Sequence, residues 1–185
     1  FAAAFERHPR RLQERLAENV NQRGREFVAL RLMTCIGQHF QHSWPPATVP
    51  QMSRELGIPS KLIQQVLQTL LAARLVMEVH GTESGYAPAR PLETINCHHI
   101  LLAMRATQGQ ELVTRDEPVR AEVIGEFARM QAGEKAAAST VTMLALVNRA
   151  QARLELVALP GPESESQPLP ALAEIKMPSA LSWAS

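Results

Sequence analysis

The chain has 185 residues, 45% of them hydrophobic and 20% charged, which is enough for one domain with a real core and too apolar for disorder throughout. A formal net charge of +1 excludes a strong overall field for a polyanion or a membrane surface, and an aromatic content of 4% argues against a strand-rich sandwich or barrel. The only cysteines, Cys35 and Cys97, provide no disulfide framework and suit a reducing compartment, and no apolar run of about 18 residues is present to span a bilayer.

The chain opens on Phe1 rather than Met, which suggests a piece of a larger protein. Residues 1–31 hold seven arginines against four glutamates, a local excess of +3. An apolar stub followed by arginines reads first as a soluble helix, the alternative being the cytoplasmic end of a transmembrane helix. Residues 1–24 are therefore set apart as a basic helical or juxtamembrane segment.

From 26 to 41, Phe27, Val28, Leu32, Cys35, Ile36 and Phe40 recur at spacings of three and four, the mark of a core helix. Pro45 and Pro46 end it, since neither offers an amide donor. Thr48 and Gln51 have the spacing of a capping box, so a short helix is expected from Val49 to Leu56. Gly57 closes that helix and Ser60 is placed to cap the next, which runs to about Arg74. Its apolar stripe is Leu62, Ile63, Val66, Leu67, Leu70 and Leu71, with Lys61, Gln64, Gln65 and Gln68 on the other face.

Residues 75–80 read as a strand, Gly81 to Gly85 as a turn and 86–90 as a returning strand, which Pro88 assigns to an edge. Residues 91–94 begin a further helical segment carrying Ile95, Ile100, Leu101, Leu102 and Met104. A short helix, a turn, a longer helix and a hairpin form a winged helix-turn-helix, so the expected fold is mostly α with a small β-hairpin, the winged-helix domain covering 25–108. Residues 109–156 form a C-terminal helical extension. Asp116 can cap it, Val119, Val123, Ile124, Phe127 and Met130 form its apolar stripe, and it continues or restarts after Gly133. That stripe is a candidate dimer seam, the alternative being packing on the first core helix. Residues 157–185 hold five prolines with serine and glutamate and no periodicity, the composition of a disordered tail.

Two families resemble this chain. The wing stretch, 75–91, with Gly85-Tyr86 and Ala89-Arg90-Pro91, is similar to that of the iron-sulfur and nitric-oxide responsive winged-helix repressors. In those a three-cysteine cluster after the wing holds an iron-sulfur centre, and here only Cys97 is near, so no cofactor is implied. A fuller resemblance, over residues 40 to 91, rests on PPATVPQMSRELGIPSKLIQQVLQTLLAARLVMEV followed by GYAPARPLETI. It points to the YihY/virulence-factor BrkB family of bacterial inner-membrane proteins, long labelled ribonuclease BN-like. That resemblance implies a domain on the cytoplasmic face of the inner membrane, reached through a segment before Phe1.

For function, the helix from Ser60 offers Lys61, Gln64, Gln65 and Gln68 to DNA bases or to a partner, with Ser53 and Arg54 of the preceding helix on phosphates. Residues 44–107 carry five basic and four acidic side chains, one of the acids being Glu83 in the wing, which is little charge for a polyanion. The expectation is accordingly a non-catalytic domain acting in protein interaction, self-association or membrane-protein regulation. DNA-binding transcriptional regulation is the alternative. No enzyme is indicated: Cys97, His98 and His99 are consecutive on a helix and point about 100° apart, so they cannot converge on one metal ion. The ribonuclease label finds no clustered carboxylates, since Asp116 is the only aspartate. Cys35 reads as a small core residue.

Overall fold

Asn21 opens the first helix, α1 (Gln22–Gln41), its side-chain oxygen accepting the Gly24 amide at 2.8 Å. The structure, a computed structural model, describes residues 20–81, 84–106 and 117–158. The juxtamembrane segment up to 19, the Asp116 cap, the Glu83 wing tip and the tail from 159 lie outside them.

α1 is the spine of the fold and packs against the helices Val49–Leu56, Ser60–Ala72, Cys97–Ala106 and Met143–Ala158 and the strand Gly85–Pro88. Val28, Ala29, Leu32, Met33, Cys35 and Ile36 are buried along it, whereas Phe27 and Phe40 are 63% and 57% exposed. Those two phenylalanines were expected in the core. Neighbours on two sides widen the buried face to include Ala29 and Met33, and the stripe turns away from both ends.

α2 (Val49–Leu56) begins where Thr48 predicts, with Thr48 Oγ1 accepting the Gln51 amide at 3.4 Å. Only half of the capping box forms, because the Gln51 side chain turns to Glu55 and His39 instead of returning to Thr48. Gly57 takes φ +65 at the end of α2, a left-handed conformation that costs a side-chain-bearing residue about 1 kcal/mol. α3 (Ser60–Ala72) is capped by Pro59 with no side-chain bond, so Ser60 is its first residue and not the expected cap. Its buried set, Leu62, Ile63, Val66, Leu67 and Leu70, contributes roughly 1.5–3 kcal/mol per side chain.

β1 (Val76–Val79) and β2 (Gly85–Pro88) pair antiparallel, Val76 opposite Pro88 and Val79 opposite Gly85. β2 is not simply an edge: on its other side the Tyr86 amide donates to the Ala47 carbonyl at 3.0 Å. Gly85 makes this possible, since a Cβ there would lie 2.6 Å from Pro46 Cβ and 2.7 Å from the Pro46 oxygen. Residues 92–94 form a turn before α4 (Cys97–Ala106), so this helix starts later than expected. Asn96 and His99 cap it reciprocally: Asn96 Oδ1 accepts the His99 amide at 3.0 Å, and His99 Nδ1 accepts the Asn96 amide at 3.3 Å.

α5 (Pro118–Ser139) runs through Gly125 and Gly133 without a break, and α6 (Met143–Ala158) follows a turn at Thr140. Of the two alternatives at Gly133 the helix continues, and the break falls at Thr140, with the Val141 carbonyl accepting the Cys97 amide and the Met143 amide bonding the Ile95 carbonyl. α6 returns to α1 and places Met143 and Val147 in the core. α5 touches chiefly α4 and is otherwise almost bare.

Candidate nucleic-acid interface

The Gly57 turn sets α3 against α2 so that one face of α3 is sealed in the core and the other stands outside. On that outer face Lys61, Gln64, Gln65 and Gln68 are all exposed. α3 contains no acidic residue. Arg54, exposed near the end of α2, stands beside the turn. Ser53 is half-buried and its hydroxyl donates to the Ile58 carbonyl at 2.7 Å, so its proton braces the turn. The three described acids of the domain lie elsewhere. Glu55 faces Cys35 and Gln51, Glu78 is on β1, Glu93 precedes α4 and Glu83 is outside the described residues. The nearly balanced charge count of the domain therefore conceals an outer α3 face with one cation and three amides.

Arg105 is withdrawn from any such surface. Its Nε donates to Glu26 Oε1 at 2.8 Å, and its terminal nitrogens donate to Glu134 at 2.7 and 2.9 Å. This fork ties the end of α4 to α1 and to α5. Hydrogen bonds from Arg105 hold the Glu134 carboxyl below its ordinary range.

The five residues of the expected seam lie on α5, and all are bare: Val119, Val123, Ile124, Phe127 and Met130 are 49–64% exposed. Of the described side chains of α5, only Arg120, Ala138 and Ser139 are even half-covered. It is α6, not α5, that packs on the first core helix, while the apolar stripe of α5 has no cover within the described residues.

Three residues that the sequence reading left out of any site come together behind α2. Cys35 and His39, both buried, are one turn apart on α1, and Glu55 reaches them from α2. A Cys-x-x-x-His spacing on one helix face was the available signal. Burial, reinforced by Glu55, pushes the Cys35 thiol up to about 12. Cys97, His98 and His99 do not converge: His99 Nδ1 is engaged with Asn96, and the half-buried Cys97 thiol is pushed up by burial.

A family model described as "Rrf2: Iron-dependent Transcriptional regulator" matches residues 24–156. Among solved structures, the chain is similar to IscR of T. potens, with 21% identity and a TM-score of 0.54 over 68% of this chain and 85% of that one. It is also similar to CymR, "the global cysteine regulator of B. subtilis", with 17% identity and a TM-score of 0.53 over 68% and 94%. Staphylococcus aureus CymR matches at 18% identity and TM-score 0.50, over 66% and 94%. These likenesses show a winged-helix fold. No curated protein matches the sequence.

The family match corrects the resemblance to the YihY/BrkB inner-membrane proteins, because it takes in the whole stretch, 40 to 91, on which that resemblance rested. A capped short helix, a glycine turn, an apolar-striped helix and a wing recur in any winged helix, so they cannot single out a membrane protein. Among the described residues no helix is long and apolar enough to cross a membrane. The expected role as an interaction domain of a membrane protein falls with it, and so does its place on the inner membrane. The family is one of regulators, not of enzymes. Its iron dependence does not fit an iron-sulfur cage here. The sequence has only two cysteines, they lie on different helices, and the one after the wing has neighbouring histidines that do not converge on it.

Proposed function

Since the chain belongs to the Rrf2 family, we propose that it is a DNA-binding transcriptional regulator acting as a dimer, and that α3 is its reading helix. The observation that carries this is the outer face of α3, where Lys61, Gln64, Gln65 and Gln68 are exposed together with no acid among them. Glutamine offers an amide that bonds adenine through two contacts in the major groove, and lysine bonds guanine or phosphate. Arg54 contributes a phosphate contact at the start of the groove, and Ser53 keeps the helix-turn-helix angle through Ile58. The hairpin lies at the flank, with exposed His80 at its tip.

Dimerisation supplies what one chain lacks. A single copy has few cations for a ligand whose affinity grows with each phosphate neutralised, and a two-fold dimer doubles them. α5 supports this part of the reading. A helix of 22 residues with almost every side chain in water is marginal by itself, and its apolar stripe has no cover within the chain. Two copies pairing along Val119, Val123, Ile124, Phe127 and Met130 would cover that stripe, and such a dimer reads two half-sites if its α3 helices stand about one turn of DNA apart, roughly 34 Å.

The test is a titration of the full chain with labelled random-sequence duplex at low salt, repeated as salt is raised. Affinity that falls steeply with salt supports the reading. Negligible affinity at the lowest salt removes it.

A further inference from the structure

Cys35, His39 and Glu55 present sulfur, nitrogen and oxygen donors that all lie within 4.8 Å of one another. Cys35 Sγ stands 3.6 Å from Glu55 Oε2. His39 Nδ1 is 2.7 Å from the Pro45 carbonyl oxygen, which can only accept. Nδ1 therefore carries the ring proton, and Nε2 presents a lone pair. That lone pair faces the Gln51 amide nitrogen at 3.3 Å, and the same nitrogen donates to Glu55 Oε1 at 2.8 Å. A backbone carbonyl on the far ring nitrogen is the arrangement that fixes and strengthens a metal-ligating histidine.

We propose that Cys35, His39 and Glu55 bind one divalent transition ion of the zinc class, which ties α1 to the first helix of the helix-turn-helix. Thiolate, neutral imidazole and carboxylate are the ligand types of four-coordinate zinc, with a water in the remaining position. Bond lengths of about 2.0–2.3 Å put tetrahedral donors roughly 3.3–3.7 Å apart, which the Cys35–Glu55 pair meets already. Thiolate and carboxylate together neutralise a doubly charged ion, so the occupied site carries no net charge. The balance is simple: the ion takes the place of the Cys35 thiol proton, which passes to solvent, and displaces the Gln51 amide from its two acceptors. Burial of Cys35 and His39 shields the bonds, while the exposed Glu55 leaves an entry.

The site sits at the root of the reading helix. Glu55 is two residues before Gly57, and α3 starts at Ser60. Metal occupancy would thus stiffen the angle between α1 and α3. That consequence rests on the DNA-binding reading, whereas ion binding itself does not.

The experiment uses the full chain, stripped with a chelator and titrated with Co²⁺ as a spectroscopic probe. The expected result is one Co²⁺ per chain, with the visible bands of a four-coordinate ion, a thiolate-to-cobalt charge-transfer band, and loss of both on adding Zn²⁺. Cys35→Ser removes the charge-transfer band, Cys97→Ser keeps it, and Glu55→Gln weakens binding by about tenfold or more. No thiolate band in the wild type overturns the proposal, as does a band that survives Cys35→Ser or disappears in Cys97→Ser. Should Cys35→Ser not fold by circular dichroism, the exposed Glu55→Gln decides: unchanged cobalt affinity overturns the site. A chain that binds cobalt as described but never binds duplex refutes the DNA reading and leaves the ion site standing.

Discussion

Replacing Phe127 with glutamate separates the association surface from the fold. Phe127 is 56% exposed on α5, so the substitution takes nothing from the core, and glutamate favours the helix. Fully burying a phenylalanine stabilises by roughly 1.5–3 kcal/mol, so covering its exposed half gives about 1–1.5 kcal/mol, counted twice in a two-fold dimer. The variant loses that gain and must desolvate two facing carboxylates as well. The total comes to about 3 kcal/mol or more, roughly a hundredfold or more in the dimer dissociation constant. Light scattering across a concentration series should give a dimeric mass for the wild type and a monomeric one for Phe127→Glu, with unchanged helical circular dichroism. A monomeric wild type at every concentration, or a variant as dimeric as the wild type, refutes the seam.

Arg105→Met breaks the fork to Glu26 and Glu134 and should lower unfolding stability by about 1–3 kcal/mol, read as a fall in the urea midpoint, while Glu134→Gln, at the half-exposed arm, costs less than about 1. Gly85→Ala forces a methyl to 2.6 Å from Pro46 Cβ and should cost about 1–3 kcal/mol in thermal or urea unfolding; a neutral effect would mean that the contact of β2 with residues 46 and 47 is looser than described. Burial, with Arg90 and His98 adding to it, holds His99 below its ordinary value of 6.5. As pH falls the unfolded chain takes up that proton first, so this share of stability is full above 6.5 and is lost as pH drops through the lowered value; stability measured from pH 7.5 to 5 should decline less in His99→Gln than in the wild type.

Elements with local chemistry were legible in the sequence. Thr48 and Gly57 bound α2, the stripe Leu62 to Leu70 marks α3, and Gly81 to Gly85 marks the wing, because caps, glycine freedom and helical period act within a few residues. What decided otherwise lay in tertiary contacts. Phe27 and Phe40 carry the right spacing on α1 but are more than half exposed, because no element covers them fully. Whether the helix stops at Gly133 or runs on was open in the sequence, and its break at Thr140 goes with the bonds from residues 141 and 143 to residues 97 and 95, far off in sequence. Charge misled for a similar reason: a total over residues 44–107 cannot say that α3 has no acid on its outer face. Glu26, Arg105 and Glu134 are 79 and 29 residues apart along the chain, so nothing local could have joined them. Cys35, His39 and Glu55 were missed on the same ground, since the third ligand comes from another helix.

The central claim is that α3 reads DNA, and the double substitution Gln64→Glu with Gln65→Glu tests it most directly. Both side chains are exposed, so the core is untouched while two negative charges enter the outer face. Fluorescence anisotropy of a labelled duplex at low salt should show strong binding by the wild type, falling with salt by about 0.9 log units per tenfold salt for each phosphate neutralised, and at least about tenfold weaker binding by the double variant. A wild type that fails to bind, or a double variant that binds as well as the wild type, would contradict it.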